Sequence, residues 1–142
     1  YWNNPDETAK TLTEDGWLRS GDIVTVDADG FTTIVDRAKE LIITGGFNVS
    51  PSEVEAVLRL HPDVSDAAVI GKPLERGGEM VVAAVELEPG STLDEEALRQ
   101  HCRAHLAAYK VPRRVVAIED TPRSLLGKVL RKQVRDQVLP LV

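Results

Sequence analysis

Cysteine is almost missing from this chain. Cys102 is its single example in 142 residues, so no internal disulfide can form, and a reducing, cytoplasmic setting is expected. Aromatic residues make up 4%, and the last third holds Tyr109 alone, too little for a platform that stacks single-stranded nucleic acid. No apolar run approaches the roughly 20 residues of a membrane span. The opening residues, Tyr1-Trp2-Asn3-Asn4-Pro5-Asp6, lack an initiator Met, a basic patch and an apolar core. No signal peptide is therefore expected, and the chain reads as a piece of a longer protein. Basic residues are scarce through position 98, with 7 Lys and Arg against 20 Asp and Glu. Residues 99–142 reverse this, with 10 against 3, so a basic face sits within an acidic chain of net charge −6. Such a face suits a nucleotide phosphate or an acidic partner.

What is present is ordinary for a folded domain: 42% hydrophobic and 28% charged residues. Asn3 to Glu7 carries turn chemistry, and Thr8 to Leu12 suits a short helix. Alternating, β-branched segments at Ile23–Asp27 and Phe31–Asp36 flank an Asp27-Ala28-Asp29-Gly30 turn and predict a hairpin. Leu41 to Thr44 predicts a short strand. Ser50-Pro51-x-Glu53 is a helix start, with a capping hydroxyl, a proline at the first helical position and a capping-box carboxylate. That helix is expected to end at His61-Pro62. Val64–Ile70, Met80–Leu87 and Arg114–Glu119 predict three strands, with Ala67, Val69, Val82, Ala84 and Val85 available for a core. A helix capped by Ser91 or Thr92 should run to about Leu106, and another from Val129 to about Val138. The expected class is α+β: a small domain with a three-stranded sheet, a short β-hairpin and flanking helices.

Three stretches bear on function. Asp36-Arg37-Ala38-Lys39-Glu40 leads into Gly45-Gly46-Phe47-Asn48-Val49-Ser50-Pro51. Gly16-Trp17-Leu18-Arg19-Ser20-Gly21-Asp22 precedes them, and Pro122-Arg123-Ser124-Leu125-Leu126-Gly127-Lys128 follows. In this order they resemble the signatures of the adenylate-forming enzymes, among them acyl-CoA synthetases, firefly luciferase and the adenylation domains of peptide synthetases. The resemblance implies that residues 1–38 end the large N-terminal domain and that residues 39–142 are the mobile C-terminal domain of an acyl-CoA synthetase. The parent would join a carboxylic acid, ATP and CoA through an acyl-adenylate, and the piece alone would be inactive. The phosphate loop, the acid pocket and the magnesium ligands would lie upstream.

Residue roles follow from the same resemblance. Asp22 would accept from the ribose hydroxyls, since one carboxylate can take two vicinal donors, and Arg37 would approach the ribose and phosphate. Lys128 would hold the substrate carboxylate and a phosphate oxygen together during adenylation, its ammonium offsetting the repulsion between two anions. Lys39 would be the hinge about which the small domain swings between half-reactions. Gly45 and Gly46 would line the pantetheine tunnel. Tyr109 would stack on the CoA adenine and Arg113 would meet its phosphates. The family often places Thr or Ser before the glycine of the lysine loop, where this chain has Leu125-Leu126, so a hydroxyl contact there is in doubt. The spacing of His101 and His105 on a helix suits a metal, but no partner ligand accompanies them and no metal site is expected.

Three other readings stand beside this one. A peptide-synthetase adenylation domain would hand its product to a carrier protein, and a luciferase-like oxygenase would have no need of a thiol tunnel. The piece could also serve as a binding module and substrate for a lysine acetyltransferase acting on Lys128, whose charge acylation would remove.

Overall fold

The computed structural model describes residues 1–142 as two compact units, Tyr1–Lys39 and Glu40–Val142. In the first, helix α1 (Pro5–Thr11) starts at Asn4, whose side chain accepts from the Glu7 amide at 3.1 Å. Strands β1 (Asp22–Val26) and β2 (Thr32–Arg37) pair antiparallel, with the register shifting between Ile23 and Val24. Asp27 closes the turn between them. Its carboxylate accepts from the amides of Asp29 and Phe31 at 3.0 and 2.9 Å. Asp36 is the one buried residue of this unit, while Trp2, Trp17 and Phe31 are largely exposed.

The second unit begins with a hairpin that sequence pattern did not reveal. β3 (Ile42–Thr44) pairs with β4 (Phe47–Val49) around Gly45-Gly46. Both glycines have positive φ, +57° and +84°, the backbone of a two-residue hairpin turn that side chains resist. A Cβ built on either would meet nothing within 4 Å, so the backbone conformation, rather than a close neighbour in this chain, demands glycine. Helix α2 (Pro51–Leu58) follows as expected, with the Ser50 hydroxyl accepting from Glu53 N at 3.3 Å. The carboxylate of Glu53 grips Lys110 at 2.6 and 2.7 Å.

A three-stranded sheet forms the centre. β5 (Val64–Pro73) runs antiparallel to β6 (Glu79–Leu87), and β7 (Arg114–Ala117) runs parallel to β6 on its other side. Helix α3 (Glu95–His105) provides the crossover that a parallel pair requires. Successive side chains point to opposite faces, so the sheet builds two cores. Ala67, Val69, Val81, Ala83 and Val85 pack on one face with Val54 and Leu58 of α2 and Leu98 and Cys102 of α3. Ala68, Ile70, Val82 and Ala84 pack on the other with Val134 and Val138 of α4 (Arg131–Val138). The candidate core residues Val82 and Ala84 thus belong to a different core from Ala67, Val69 and Val85.

Helix boundaries moved where side chains found better partners. Asp94, rather than Ser91 or Thr92, caps α3 by accepting from Ala97 N at 3.0 Å. α4 starts at Arg131 because Val129 pairs across to Arg123 as an isolated bridge.

One ion pair ties these layers together. Glu55, 4% exposed, accepts from Val69 N at 2.8 Å and pairs with Arg131, whose guanidinium also donates to Val69 O at 3.1 Å. Breaking such a buried pair leaves an uncompensated charge. Glu55→Gln is expected to destabilise the protein by about 3 kcal/mol, seen as a lower denaturant midpoint. Burial also pushes the Cys102 thiol up to about 11, so it stays protonated at neutral pH. A disulfide reagent such as DTNB is expected to label it in denaturant and not in the folded protein.

Candidate functional site

Lys128 sits on a short hairpin between β7 and α4. Ser124 N donates to Lys128 O at 2.8 Å, Gly127 N to Ser124 O at 2.8 Å, and Leu130 N to Pro122 O at 2.8 Å. Gly127, with φ +77°, makes the tip possible. The Lys128 side chain is exposed and joins none of the ion pairs around it, so its ammonium is available to a ligand. Leu125 and Leu126, where a hydroxyl was in doubt, project fully into solvent. The structure places no hydroxyl at that spot, although Ser124 Oγ accepts from Lys128 N at 3.2 Å.

Asp22 and Arg37 face each other in the β1–β2 register, with Arg37 Nε 2.8 Å from Asp22 Oδ1. The nitrogen is close, yet Oδ1 receives no directed hydrogen bond and is shielded from solvent. The two residues already form an ion pair at the start of the hairpin. Lys39 is exposed, in the one-turn 3-10 segment Ala38–Glu40 that leaves β2. Glu40, next in the chain, is held by Arg131 at 2.6 Å.

In the second unit a cleft of about 390 Å³ opens beside the β3–β4 hairpin. Thr44, Gly45 and Phe47 form one side, and Val81, Tyr109, Val111 and Arg113 are among the others. It therefore brings together three of the residues expected at a CoA site, Gly45, Tyr109 and Arg113. Tyr109 is stacked on Phe47 with ring centroids 4.5 Å apart, so one face of its ring is already covered. Lys110, adjacent to it, is taken up by Glu53. Arg99 and Arg103 on α3 join Arg113 in the wall of the cleft. Both pair with Glu96, Arg99 at 3.0 Å and Arg103 at 2.6 Å, so two guanidinium groups share one carboxylate and a surplus positive charge remains. No motif marks Arg99 and Arg103. The available signals were their four-residue spacing on a helix and the basic bias of the last third. The histidines do structural work: His101 Nε2 lies 2.9 Å from Val57 O, and His105 Nδ1 lies 2.8 Å from His101 O.

The model of the AMP-binding enzyme C-terminal domain matches residues 53–128. This chain belongs to that family, within the adenylate-forming enzymes. It is similar to a long-chain-fatty-acid–CoA ligase of Yersinia pestis, 48% identical over 137 residues, covering 96% of this chain and 24% of that protein. ATP-bound MatB from Rhodopseudomonas palustris matches with a TM-score of 0.89 at 37% identity, over 96% of this chain and 27% of that one. The amide bond synthetase McbA from Marinactinospora thermotolerans matches with a TM-score of 0.85 at 43% identity, over 97% and 28%. The chain spans about a quarter of the length of the relatives it matches. No helix in it is long and apolar enough to cross a membrane.

Asp66, near the start of β5, anchors the Lys128 hairpin through Arg123. Partial burial opposes its ionisation, but hydrogen bonds from Arg123 and Ala67 N and the charges of Arg123 and Arg59 prevail and hold its carboxyl below the ordinary aspartate value. Its stabilising contribution is thus present above its unfolded value and lost as pH falls through the lower folded one. Acid unfolding of Asp66→Asn is expected to show a shallower loss of stability below pH 4 than wild type, with the two proteins differing most near neutrality.

Proposed function

We propose that this segment is the mobile C-terminal domain, with the closing hairpin of the larger domain, of an ATP-dependent acid–CoA ligase. The observation that carries the reading is that one sheet bears two dissimilar sites on opposite faces. The arginine-lined cleft borders the core of Val81 and Val111, whereas the lysine hairpin runs into the core of Ile70, Val129 and Val134. A rigid body with its two reactive surfaces back to back can present only one at a time to a shared centre. That suits a reaction in two steps separated by a rotation, with Lys39 as the pivot.

In the first step a carboxylate oxygen attacks the α-phosphorus of ATP and pyrophosphate leaves. Lys128 holds the attacking carboxylate and a phosphate oxygen, so the charge that builds up meets a fixed cation. Asp22 and Arg37 orient the ribose. In the second step the CoA thiol loses its proton and attacks the acyl carbon, and AMP departs. Gly45 and Gly46 leave room for the pantetheine arm, Arg99, Arg103 and Arg113 attract the CoA phosphates, and the free face of Tyr109 takes the adenine. Magnesium would be bound by residues of the larger domain. The exposed Trp2, Trp17 and Phe31 of the first unit support a place for that unit against further chain.

The test uses the full-length enzyme. Lys128→Ala is expected to lower acid-dependent pyrophosphate release by about 10²–10³-fold. The same variant should convert supplied acyl-adenylate and CoA to thioester at close to the wild-type rate. Adenylation at an undiminished rate would overturn the assignment. The isolated segment is expected to release no pyrophosphate.

A further inference from the structure

The hairpin that carries Lys128 is exposed at its tip, yet the peptide linking Gly127 to Lys128 is held on both sides. Its carbonyl accepts from Arg123 Nη1 at 2.6 Å, and its amide donates to Ser124 Oγ at 3.2 Å. The remaining arms of the Arg123 guanidinium, Nε and Nη2, reach Asp66 Oδ2 at 3.0 and 2.5 Å. Asp66 is itself fixed. Ala67 N donates to its Oδ1 at 2.8 Å, and Arg59 Nη1 approaches the same oxygen at 3.4 Å. A continuous polar chain therefore runs from the start of β5, through one carboxylate and one guanidinium, to the peptide from which the Lys128 side chain departs.

We propose that Arg123, braced by Asp66, is a positioning residue that sets the direction in which Lys128 leaves the hairpin. The inference rests on the reading of Lys128 as the adenylation lysine. A lysine has four rotatable side-chain bonds, so a small swing of its backbone displaces the ammonium by ångströms. Misplacement of about 1 Å at a reacting centre can cost about 10²-fold in rate. Whatever the pair adds to folding, stability alone does not require the same guanidinium to hold the Gly127 carbonyl as well. The guanidinium spreads its donors over three nitrogens, two on the carboxylate and one on the carbonyl, a span that a single ammonium nitrogen does not reproduce.

The full-length enzyme and its Arg123→Ala, Arg123→Lys, Lys128→Ala and Arg123→Ala/Lys128→Ala variants separate the possibilities. Each half-reaction is measured alone: pyrophosphate release from acid and ATP, and thioester formation from supplied acyl-adenylate and CoA. For Arg123→Ala, adenylation kcat is expected to fall about 10- to 100-fold with KM values within about two-fold, while thioester formation is unchanged. Arg123→Lys should recover only part of the loss. The double variant should be no slower than Lys128→Ala, because a positioning residue has nothing left to position. The inference is overturned if Arg123→Ala keeps wild-type adenylation, if it slows both half-reactions alike, or if the double variant loses the full product of the two single effects. Should Lys128→Ala leave adenylation intact, the assignment of Lys128 falls as well, whereas loss in Lys128→Ala with none in Arg123→Ala overturns only the role of Arg123.

Discussion

The arrangement of the second unit depends on how it closes the open edge of its sheet. β5 has β6 on one side and no strand on the other, so its outward amides and carbonyls need partners. At Val69 they find them in an ion pair: Glu55 accepts from the amide, and Arg131 donates to the carbonyl. Burying two charges is costly in itself, and it is tolerated here because each is both paired and hydrogen-bonded. Burial alone would work against the charge of Arg131; its bonds to Glu55 and Glu40 outweigh that and raise its affinity for the proton. One side-chain pair thereby joins α2, β5 and α4. Through Glu40 it also secures the residue next to the candidate hinge.

From that constraint follows the division of labour between the faces. α4 cannot shift along the sheet without breaking the Arg131 contacts, so the hairpin just before it is delivered to a defined place. On the other face, α2 and α3 pack together over Val69, Val81 and Val85, and α3 supplies two of the arginines of the cleft. The helices are thereby fixed to the two faces of one sheet, because moving any of them would expose a core.

Legibility in the sequence varied with the range of the forces involved. The hairpin of the first unit, the three strands and α2 were readable, since alternation, a turn aspartate and a Ser-Pro helix start are local features. The β3–β4 hairpin was missed. Its strands have three residues each, too short for a period to show, and although Gly45-Gly46 suggests a tight turn, Phe47–Val49 gave no sign of a returning strand before the helix start. The caps of α3 and the start of α4 were displaced because Asp94 outcompeted its neighbours for an amide and Val129 paired with Arg123. At the candidate site, Lys128, Asp22 and Gly45 were marked by motif, but Arg99, Arg103 and Asp66 were not. Their importance lies in what stands opposite them, 57 residues away in sequence for Asp66 and Arg123, or across a cleft for the α3 arginines.

The sequence by itself determined the family, the α+β class and the positions of the charged and flexible residues that such chemistry requires, because these are written in local order along the chain. Only the tertiary structure decided which side chains share a face, that Tyr109 is already stacked on Phe47, that Lys110 is consumed by Glu53, and that Lys128 departs from a peptide gripped by Arg123. Those outcomes depend on hydrogen-bond geometry and competition among partners, which exist only once β5, α2 and α4 have been brought together.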